Sequence, residues 1–298
     1  MIRPRALVPG DAVAVVAPAG PVPRDAFAAG ARILGARYRL VHDERIFERA
    51  GFLAGSDDAR AAELQRALAD PQAAAIVCAR GGYGLTRILA RLDAAAFCRN
   101  PKWIVGFSDV TALHVWAARA GVESLHAPVV TQLGGLPPED AAALFALLEG
   151  APPAPLENLR ALAPGRATGP LHGGNLELLS RLCGTPWQPR LDGAILLLED
   201  VGERPYRVDR ALTQLLLAGA LDGLRGALVG EFHKCADPDN APPSAEDVIA
   251  ERLASLGIPI LAGAPIGHGA RNRAVPLGVP LTLDAATGTA TFAPAAVY

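Results

Sequence analysis

A serine at a predicted strand-to-helix turn is the residue of this chain best placed for nucleophilic chemistry. A short apolar run that starts at Trp103 ends in Gly106-Phe-Ser-Asp109, and residues with helical spacing follow. This pattern predicts a strand, a sharp turn and a helix, with Ser108 beside the free N–H groups of the helix start. Ser108 can then act as a nucleophile, or Ser108 or Asp109 can simply cap the helix. The segment departs from the nucleophile elbow G-x-S-x-G, because Val110 replaces the last glycine.

A glycine-rich run follows the apolar stretch that precedes this one. Residues 73–79 (AAAIVCA) indicate a buried strand, and Arg80-Gly-Gly-Tyr-Gly84 comes directly after it. Exposed backbone N–H groups can bind a phosphate, and they can equally stabilise the oxyanion of an acyl-transfer intermediate. The run lacks the G-x-G-x-x-G spacing and the Lys-Ser/Thr of a P-loop, so by itself it indicates no nucleotide. A purely structural tight turn is the third interpretation.

Three carboxylates follow an apolar run in the second half of the chain. Residues 194–198 (AILLL) precede Glu199 and Asp200, and Glu203 comes soon after. A carboxylate at a strand end can orient a catalytic histidine. For a single carboxylate at such a place, a helix cap or a surface ion pair is the commoner explanation.

His268 stands between Gly267 and Gly269, so little side-chain bulk surrounds its imidazole. Histidine is the usual general base for a serine hydroxyl, and it needs a carboxylate to fix its tautomer. Three other histidines compete for this role: His126, His172 and His233. No H-x-x-x-H or H-x-x-E-H spacing occurs in the sequence, so we expect neither a metal nor a cofactor.

Apolar strands alternate with helical patterns through the first half of the chain, from residues 12–17 (AVAVVA) to the strand before Ser108. Helices are expected at about 24–35 and 57–68, and another from Gly84 to Leu92. Unbroken apolar strands separated by helices predict a mostly parallel α/β sheet of flavodoxin or Rossmann type. Functional residues of such sheets lie beyond the carboxyl ends of the strands, where both the 80–84 run and Ser108 fall.

Proline and glycine break this pattern near the middle of the chain. We therefore predict an N-terminal α/β domain over residues 1–150, a linker over 151–168, and a smaller C-terminal α/β domain over 169–298. The second domain should carry strands at 194–198 and near 227–229, and a β-rich end over 274–292 that forms a hairpin or meander.

Composition limits the function classes. The 298 residues are 51% apolar and 19% charged, which is typical of a globular protein with a large core. The net charge is −2 without a basic stripe, so nucleic acid is not an expected partner. No apolar run is long enough for a membrane span, and the four scattered cysteines indicate free thiols, so we expect a cytoplasmic protein. A homodimer is left open.

Taken together and in order, the motifs of this sequence resemble those of the LD-carboxypeptidases, serine peptidases whose family also includes the microcin C immunity peptidase. The resemblance covers nearly the whole chain. The motifs that carry it are Ala79-Arg-Gly-Gly-Tyr-Gly84, Gly106-Phe-Ser-Asp-Val-Thr111, Gly173-Gly-Asn175 with Gly184-Thr-Pro-Trp187, Leu198-Glu-Asp-Val-Gly-Glu-Arg-Pro-Tyr-Arg-Val-Asp-Arg210, and Gly267-His-Gly269 with Pro276-Leu-Gly278.

The resemblance implies a catalytic triad in which Ser108 is the nucleophile, Glu199 the charge-relay acid and His268 the base. It also implies an oxyanion hole formed by the N–H of Asp109 and one N–H from the Gly81-Gly82 pair, and it leaves open which glycine contributes. Ser108 would belong to the first domain, and Glu199 and His268 to the second.

Arg80 is a candidate for holding the terminal carboxylate of a peptide substrate, because a guanidinium matches a carboxylate, although a structural ion pair would explain it too.

The implied reaction is release of the terminal D-alanine from a muropeptide tetrapeptide during peptidoglycan recycling. An immunity-type peptidase that hydrolyses a peptidyl-nucleotide antibiotic is the alternative within the same chemistry. Aromatic side chains could stack on the base of a nucleotide, but phenylalanine and tryptophan are scarce in this sequence, which favours the cell-wall substrate. A non-catalytic small-molecule-binding protein is the alternative from a different class.

Overall fold

A computed structural model describes residues 1–239 and 241–293 of the chain. The chain forms two compact units. The first consists of Met1–Ala151 together with Arg273–Pro276, and the second of Pro152–Asn272 together with residues 277–293.

The strands and helices lie as follows. The strands are β1 (Ala12–Val16), β2 (Arg39–Val41), β3 (Ala73–Cys78), β4 (Trp103–Gly106), β5 (Ser124–His126), β6 (Arg160–Ala163), β7 (Arg166–Asn175), β8 (Ile195–Val201), β9 (Gly226–His233), β10 (Ile260–Ala262), β11 (Val275–Leu277), β12 (Pro280–Asp284) and β13 (Thr289–Phe292). The helices are α1 (Arg24–Gly35), α2 (Asp57–Ala69), α3 (Ala94–Arg99), α4 (Thr111–Arg119), α5 (Val130–Leu133), α6 (Pro138–Leu148), α7 (Leu176–Arg181), α8 (Pro205–Leu217) and α9 (Ala245–Leu253).

The first unit is built on a sheet with the strand order β11-β5-β4-β3-β1-β2. The pairs from β2 to β5 are all parallel, which confirms the predicted parallel sheet. The order β2-β1-β3-β4-β5 is that of flavodoxin-like folds. All residues of β1, β3 and β4 are buried, as the unbroken apolar runs predict for a sheet covered on both faces.

One predicted helix of the first unit is wrong. Residues 84–92 form two short 3₁₀ turns, Leu85–Arg87 and Leu89–Arg91, in place of a helix. The buried residues Leu85, Ile88 and Leu89 do have helical spacing, but the hydrogen bonds here are of the i→i+3 type, as in Ile88 N–H to Leu85 O.

The second unit is built on a mixed sheet with the order β13-β12-β7-β8-β9-β10-β6. Strands β7 to β10 are parallel, and antiparallel strands extend this set at both edges. The predicted β-rich end is present as the β12–β13 hairpin, whereas β11 joins the other sheet.

The predicted linker and the predicted start of the second domain need correction. Residues 151–168 are not an irregular connection, because β6 lies within them and β7 begins at Arg166. Both strands are hydrogen-bonded members of the second sheet. Pro152, Pro153 and Pro155 precede β6, which is an edge strand and therefore tolerates nearby proline, and Pro164-Gly165 separate β6 from β7. Arg273–Pro276 also fall in the first unit and not, as predicted, in the second.

Candidate active site

Ser108 occupies a strained turn directly after β4. Its φ angle is +65°, in the left-handed region that non-glycine residues rarely adopt. Such a conformation costs on the order of 1–3 kcal/mol and is concentrated at functional sites. No side-chain hydrogen bond caps the short 3₁₀ turn Ser108–Val110 or the start of α4, so the interpretation of Ser108 or Asp109 as a helix cap is not supported.

Gly106 allows the turn to be this sharp. A Cβ atom at Gly106 would lie 2.9 Å from Cγ2 of Val110, closer than real Cβ contacts come. The absence of a side chain there lets the chain fold back over the end of its own strand. The turn therefore depends on Gly106, although Val110 stands where the nucleophile elbow has a glycine.

The glycine run after β3 lies directly against Ser108. A Cβ atom at Gly81 would be 2.9 Å from Cβ and 3.1 Å from Oγ of Ser108. Gly82 has a φ of +107°, and Gly20 N–H donates to Gly81 O at 3.0 Å. Across the described residues, the N–H groups of Gly81 and Gly82 donate no hydrogen bond, so they are available to an oxygen atom bound near Ser108.

Arg80 begins this run and is half-buried. Its Nη1 donates to the carbonyl oxygen of Pro21 at 2.6 Å, so a contact with the chain after β1 fixes the guanidinium. The contact is to a carbonyl and not to a carboxylate, which differs from the structural ion pair considered for this residue.

Glu199 and His268 form a close pair within the second unit. His268 Nδ1 and Glu199 Oε2 are 2.6 Å apart, and the Glu199 side chain is completely buried. With Nδ1 bound to a carboxylate, the tautomer is fixed so that Nε2 remains for proton transfer. Gly267 permits this approach, since a Cβ atom there would lie 2.9 Å from Glu199 Oε2.

Glu199 lies within β8, two residues before its end, and not beyond the strand as the sequence suggested. The pairing of β8 with β9 is irregular here, because Leu198 pairs with Val229 but Asp200 pairs with Phe232. Two residues of β9 thus oppose one residue of β8, which is the definition of a β-bulge. The extra residue belongs to β9, so the bulged strand is β9, and Glu199 is the β8 residue opposite the bulge.

The two neighbouring carboxylates have other partners. Asp200 accepts hydrogen bonds from Asn175 Nδ2 at 2.9 Å and from the N–H of Glu177 at 3.0 Å, and burial raises its pKa to about 6. Glu203 forms an ion pair with Arg207, one helical turn away, at 3.4 Å. Of these three acids, only Glu199 is shown in contact with His268, a distinction that the sequence alone does not make.

The competing histidines lie in three strands, β5, β7 and β9. His126 is buried in β5, with its ring 5.9 Å from that of Phe107. His172 lies in β7, where burial lowers its pKa to about 4, and His233 ends β9. In the described part of the chain, no group of three or more His, Cys, Asp or Glu side chains is arranged to hold a metal ion.

Sequence reasoning missed His114 and Arg60. His114, in α4, binds the carbonyl oxygen of Gly106 through Nε2 at 2.8 Å and Ser124 Oγ through Nδ1 at 2.9 Å. Arg60, in α2, is buried and donates to the carbonyl oxygens of Pro18 and Gly84. The one feature of the sequence that could have revealed them is that each is a polar residue among the apolar residues of its helix.

Two protein-family models match this chain, one in its N-terminal half and one in its C-terminal half. The family model for the LD-carboxypeptidase N-terminal domain matches residues 13–127, and the model for the C-terminal domain of the same family matches residues 168–283. The chain belongs to the LD-carboxypeptidase family. The first match contains Ser108, and the second contains Glu199 and His268.

Two relatives and two solved structures illustrate the similarity. The chain is 36% identical to the "probable murein peptide carboxypeptidase" of Bacillus subtilis (97% and 93% of the two chains) and 34% identical to the murein tetrapeptide carboxypeptidase of Pseudomonas aeruginosa (91% and 92%). The muramoyltetrapeptide carboxypeptidase of Oxalobacter formigenes superposes with a TM-score of 0.82 at 28% identity, covering 94% of this chain and 97% of that one. The microcin C7 self-immunity protein MccF, in complex with aspartyl sulfamoyl adenosine, gives 0.90 at 23% identity over both whole chains, which shows a shared fold.

Within the described residues, no helix is long and apolar enough to cross a membrane.

Proposed function

We propose that this protein is a serine-type LD-carboxypeptidase that releases the terminal D-alanine from a muropeptide tetrapeptide. The observation that carries the proposal is the contact of His268 with the completely buried Glu199, at 2.6 Å, in a chain whose family match also includes the strained Ser108. Two relatives with names that specify murein peptides, at 34% and 36% identity over most of the chain, support the substrate class.

In the proposed reaction, Ser108 Oγ attacks the scissile carbonyl while His268 Nε2 accepts its proton, and Glu199 stabilises the imidazolium that forms. The same imidazolium then protonates the nitrogen of the leaving D-alanine. Water, deprotonated by His268, hydrolyses the acyl-enzyme and regenerates the serine. No step requires a metal or an organic cofactor.

Backbone donors stabilise the tetrahedral intermediates in this proposal. The N–H of Asp109 and an N–H of the Gly81-Gly82 pair are the candidates, because both segments adjoin Ser108. Oxyanion donors contribute on the order of 10²–10³-fold in kcat each. Arg80 is proposed to bind the terminal carboxylate of the substrate, since only one of its five N–H donors is used in the Pro21 contact.

The second candidate function is hydrolysis of a peptidyl-nucleotide. The observation that favours it is the fold shared with MccF at a TM-score of 0.90. The identity of 23% limits that likeness to the fold, whereas the relatives named for murein peptides are more similar in sequence.

The deciding experiment offers the purified enzyme four compounds: the muropeptide tetrapeptide, its pentapeptide precursor, a tetrapeptide that ends in L-alanine, and aspartyl sulfamoyl adenosine. Mass spectrometry should show release of D-alanine from the first compound and little cleavage of the other three. Efficient L-alanine release, or cleavage of the sulfamoyl adenosine alone, would contradict the proposal.

Variants and a chelator test the mechanism on the same substrate. Ser108→Ala, His268→Ala and Glu199→Gln should each lower kcat by at least about 10³-fold, and the Ser108→Ala/His268→Ala double variant should be little worse than either single one, because a triad acts as a unit. Glu203→Gln is the matched control and should remain active. Activity should survive EDTA, whereas a loss restored by zinc would contradict the serine mechanism.

The biological setting belongs to the same proposal. We infer that the enzyme acts in the cytoplasm on muropeptides returned from peptidoglycan turnover, and fractionation of cells would test this location. Light scattering of the purified protein would show whether it forms a homodimer.

A further inference from the structure

The glycine run beside Ser108 has no regular secondary structure of its own. Between the end of β3 at Cys78 and the 3₁₀ turn that begins at Leu85, the backbone belongs to neither a helix nor a strand. Gly82 and Gly84 have φ angles of +107° and +135°, so this part of the loop is intrinsically permissive. Its position relative to Ser108 must therefore be set by groups outside the loop.

Arg60 binds the end of this loop from one side. The residue is 1% exposed, and its Nη1 donates to Gly84 O at 3.0 Å and also to Pro18 O. Its Nη2 donates to Asp57 Oδ1 at 2.5 Å, and Asp57 in turn accepts from Arg87. A single buried guanidinium thus joins the chain after β1 to the loop after β3.

Asp109 binds the next residue of the loop from the other side. Its side chain is completely buried, and Oδ2 accepts the N–H of Leu85 at 2.9 Å. Its other oxygen, Oδ1, is buried without a hydrogen-bond partner among the described residues. A half-satisfied buried carboxyl is unfavourable for stability, and burial raises the pKa of Asp109 to about 6. Asp109 is also the residue next to Ser108, so this contact connects the loop to the nucleophile turn itself.

The two contacts leave the loop little freedom at Gly84. A Cβ atom there would lie 2.7 Å from Arg60 Nη1 and 2.7 Å from Leu53 Cδ2. The Gly84 carbonyl and the Leu85 N–H belong to the same peptide group, so Arg60 and Asp109 hold opposite ends of one rigid plane. That plane is three residues beyond Gly81, where a Cβ atom would lie 2.9 Å from Ser108 Cβ.

We propose that Arg60 and the side chain of Asp109 are positioning residues, which hold the Gly84–Leu85 peptide so that the N–H groups of Gly81 and Gly82 face the oxygen bound at Ser108. The proposal rests on the proposed function, because it assumes that Ser108 is the nucleophile. Neither side chain touches the substrate. Both act on the geometry of the backbone donors, which matters most in the transition state.

The test compares kcat and KM for Asp109→Ala, Asp109→Asn and Arg60→Lys. Asp109→Ala removes the acceptor for Leu85 N–H and should lower kcat by about 10²-fold with KM changed less than about threefold, because a misplacement near 1 Å has that effect on rate. Asp109→Asn keeps an acceptor and should recover kcat to within about fivefold of the wild type. Arg60→Lys cannot bind both carbonyls in the same geometry and should lower kcat about tenfold.

Lys102→Met is the matched control. Lys102 is also 1% exposed, and its Nζ donates to the carbonyl oxygens of Ala67 and Asp70, at the other end of α2 from the loop. Lys102→Met removes a buried cation from two carbonyls, whereas Arg60→Lys keeps the cation and changes only its geometry, so the control disturbs its own site at least as strongly. It should nevertheless lower only stability and leave kcat within about twofold. A kcat loss in Lys102→Met as large as in the Arg60 variant would show a general effect of stability and overturn the proposal.

Hydrogen exchange supplies a readout that does not need the reaction. Mass spectrometry of peptides that cover residues 79–88 should show at least about tenfold faster exchange in Asp109→Ala and Arg60→Lys than in wild type and Lys102→Met.

If Asp109→Ala and Arg60→Lys are both folded and keep kcat within about threefold of the wild type, the positioning role is overturned while the proposed function stands. If wild-type enzyme neither cleaves the tetrapeptide nor reacts with a fluorophosphonate at Ser108, both proposals fail. If Asp109→Ala does not fold, Asp109→Asn and Arg60→Lys decide the matter.

Discussion

His114 should make the first unit sensitive to acid. Its ring is 2% exposed and lies between the carbonyl oxygen of Gly106, bound by Nε2, and Ser124 Oγ, bound by Nδ1. Burial lowers its pKa to about 3, from an ordinary value of 6.5. Because the folded pKa lies below the unfolded one, the stability that the neutral ring contributes is complete above about pH 6.5 and is lost as the pH falls.

The magnitude follows from proton linkage. Between the two pKa values, the unfolded chain binds one more proton than the folded chain, so stability falls by about 1.4 kcal/mol for each pH unit. Between about pH 7 and pH 5 the His114 contribution amounts to about 2 kcal/mol. Asp109 and Asp200 act in the opposite direction, because burial raises the pKa of each from 3.8 to about 6, so the stability that their protonated forms contribute is lost as the pH rises from about 3.8 to about 6. The pH profile of the whole protein therefore cannot isolate His114, but a difference between two variants can.

The assay is urea unfolding followed by tryptophan fluorescence in a Trp187→Phe background. The remaining tryptophans, Trp103 and Trp116, both lie in the first unit, so the signal reports that unit. His114→Gln keeps an N–H donor for Gly106 O and removes the titrating ring. The stability of the parent minus that of the variant should fall by about 2 kcal/mol from pH 7 to pH 5. A difference that stays constant within about 0.5 kcal/mol would refute the assignment of this acid sensitivity to His114.

Two further variants test local geometry. Gly81→Ala places a methyl group 2.9 Å from Ser108 Cβ. We therefore expect kcat to fall by about tenfold or more, with little change in the midpoint of urea unfolding. Unaltered kinetics would contradict the close contact between Gly81 and Ser108. Ser56→Ala removes the side chain that accepts the N–H of Ala59 at the start of α2. The free energy of unfolding should fall by about 1 kcal/mol while kcat is unchanged. A variant as stable as the wild type would show that this helix cap contributes nothing.

The sequence predicts strands β1, β3 and β4 of the first sheet, because each is an unbroken apolar run. Helix α1 is found at its expected bounds, Arg24–Gly35, for a similar reason, since its apolar residues recur with helical spacing. The sequence does not predict β5, which is also buried and parallel but contains a serine and a histidine. Strand β11 could not be placed in the same way. Its residues lie next to the β12–β13 hairpin in the sequence, yet they extend the sheet of the first unit. That pairing is set by contacts far apart in the chain, which local periodicity does not record.

At the candidate site, residue types lead to Ser108 and His268 but not to the geometry around them. A serine between phenylalanine and aspartate does not reveal a φ of +65°. The choice of Glu199 over Asp200 depends on which face of β8 each side chain occupies, and a one-residue change reverses the face. What distinguishes Glu199 is its contact with His268 Nδ1 at 2.6 Å, which joins positions 69 residues apart in the chain and is not recorded in the sequence of β8.

Two glycines show why the remaining information was out of reach of the sequence. Gly81 lies where a methyl group would meet Ser108, and Gly267 where one would meet the carboxylate of Glu199. In both places the missing side chain lets a backbone segment approach a functional group closely, once beside the proposed nucleophile and once beside the acid that orients the base. The chain has 31 glycines, and many others serve only as turns with a positive φ. The function of each of these two glycines depends on which atom a Cβ would clash with, and that atom belongs to a segment distant in the sequence. The same holds for Arg60, whose role follows from which two carbonyl oxygens it binds.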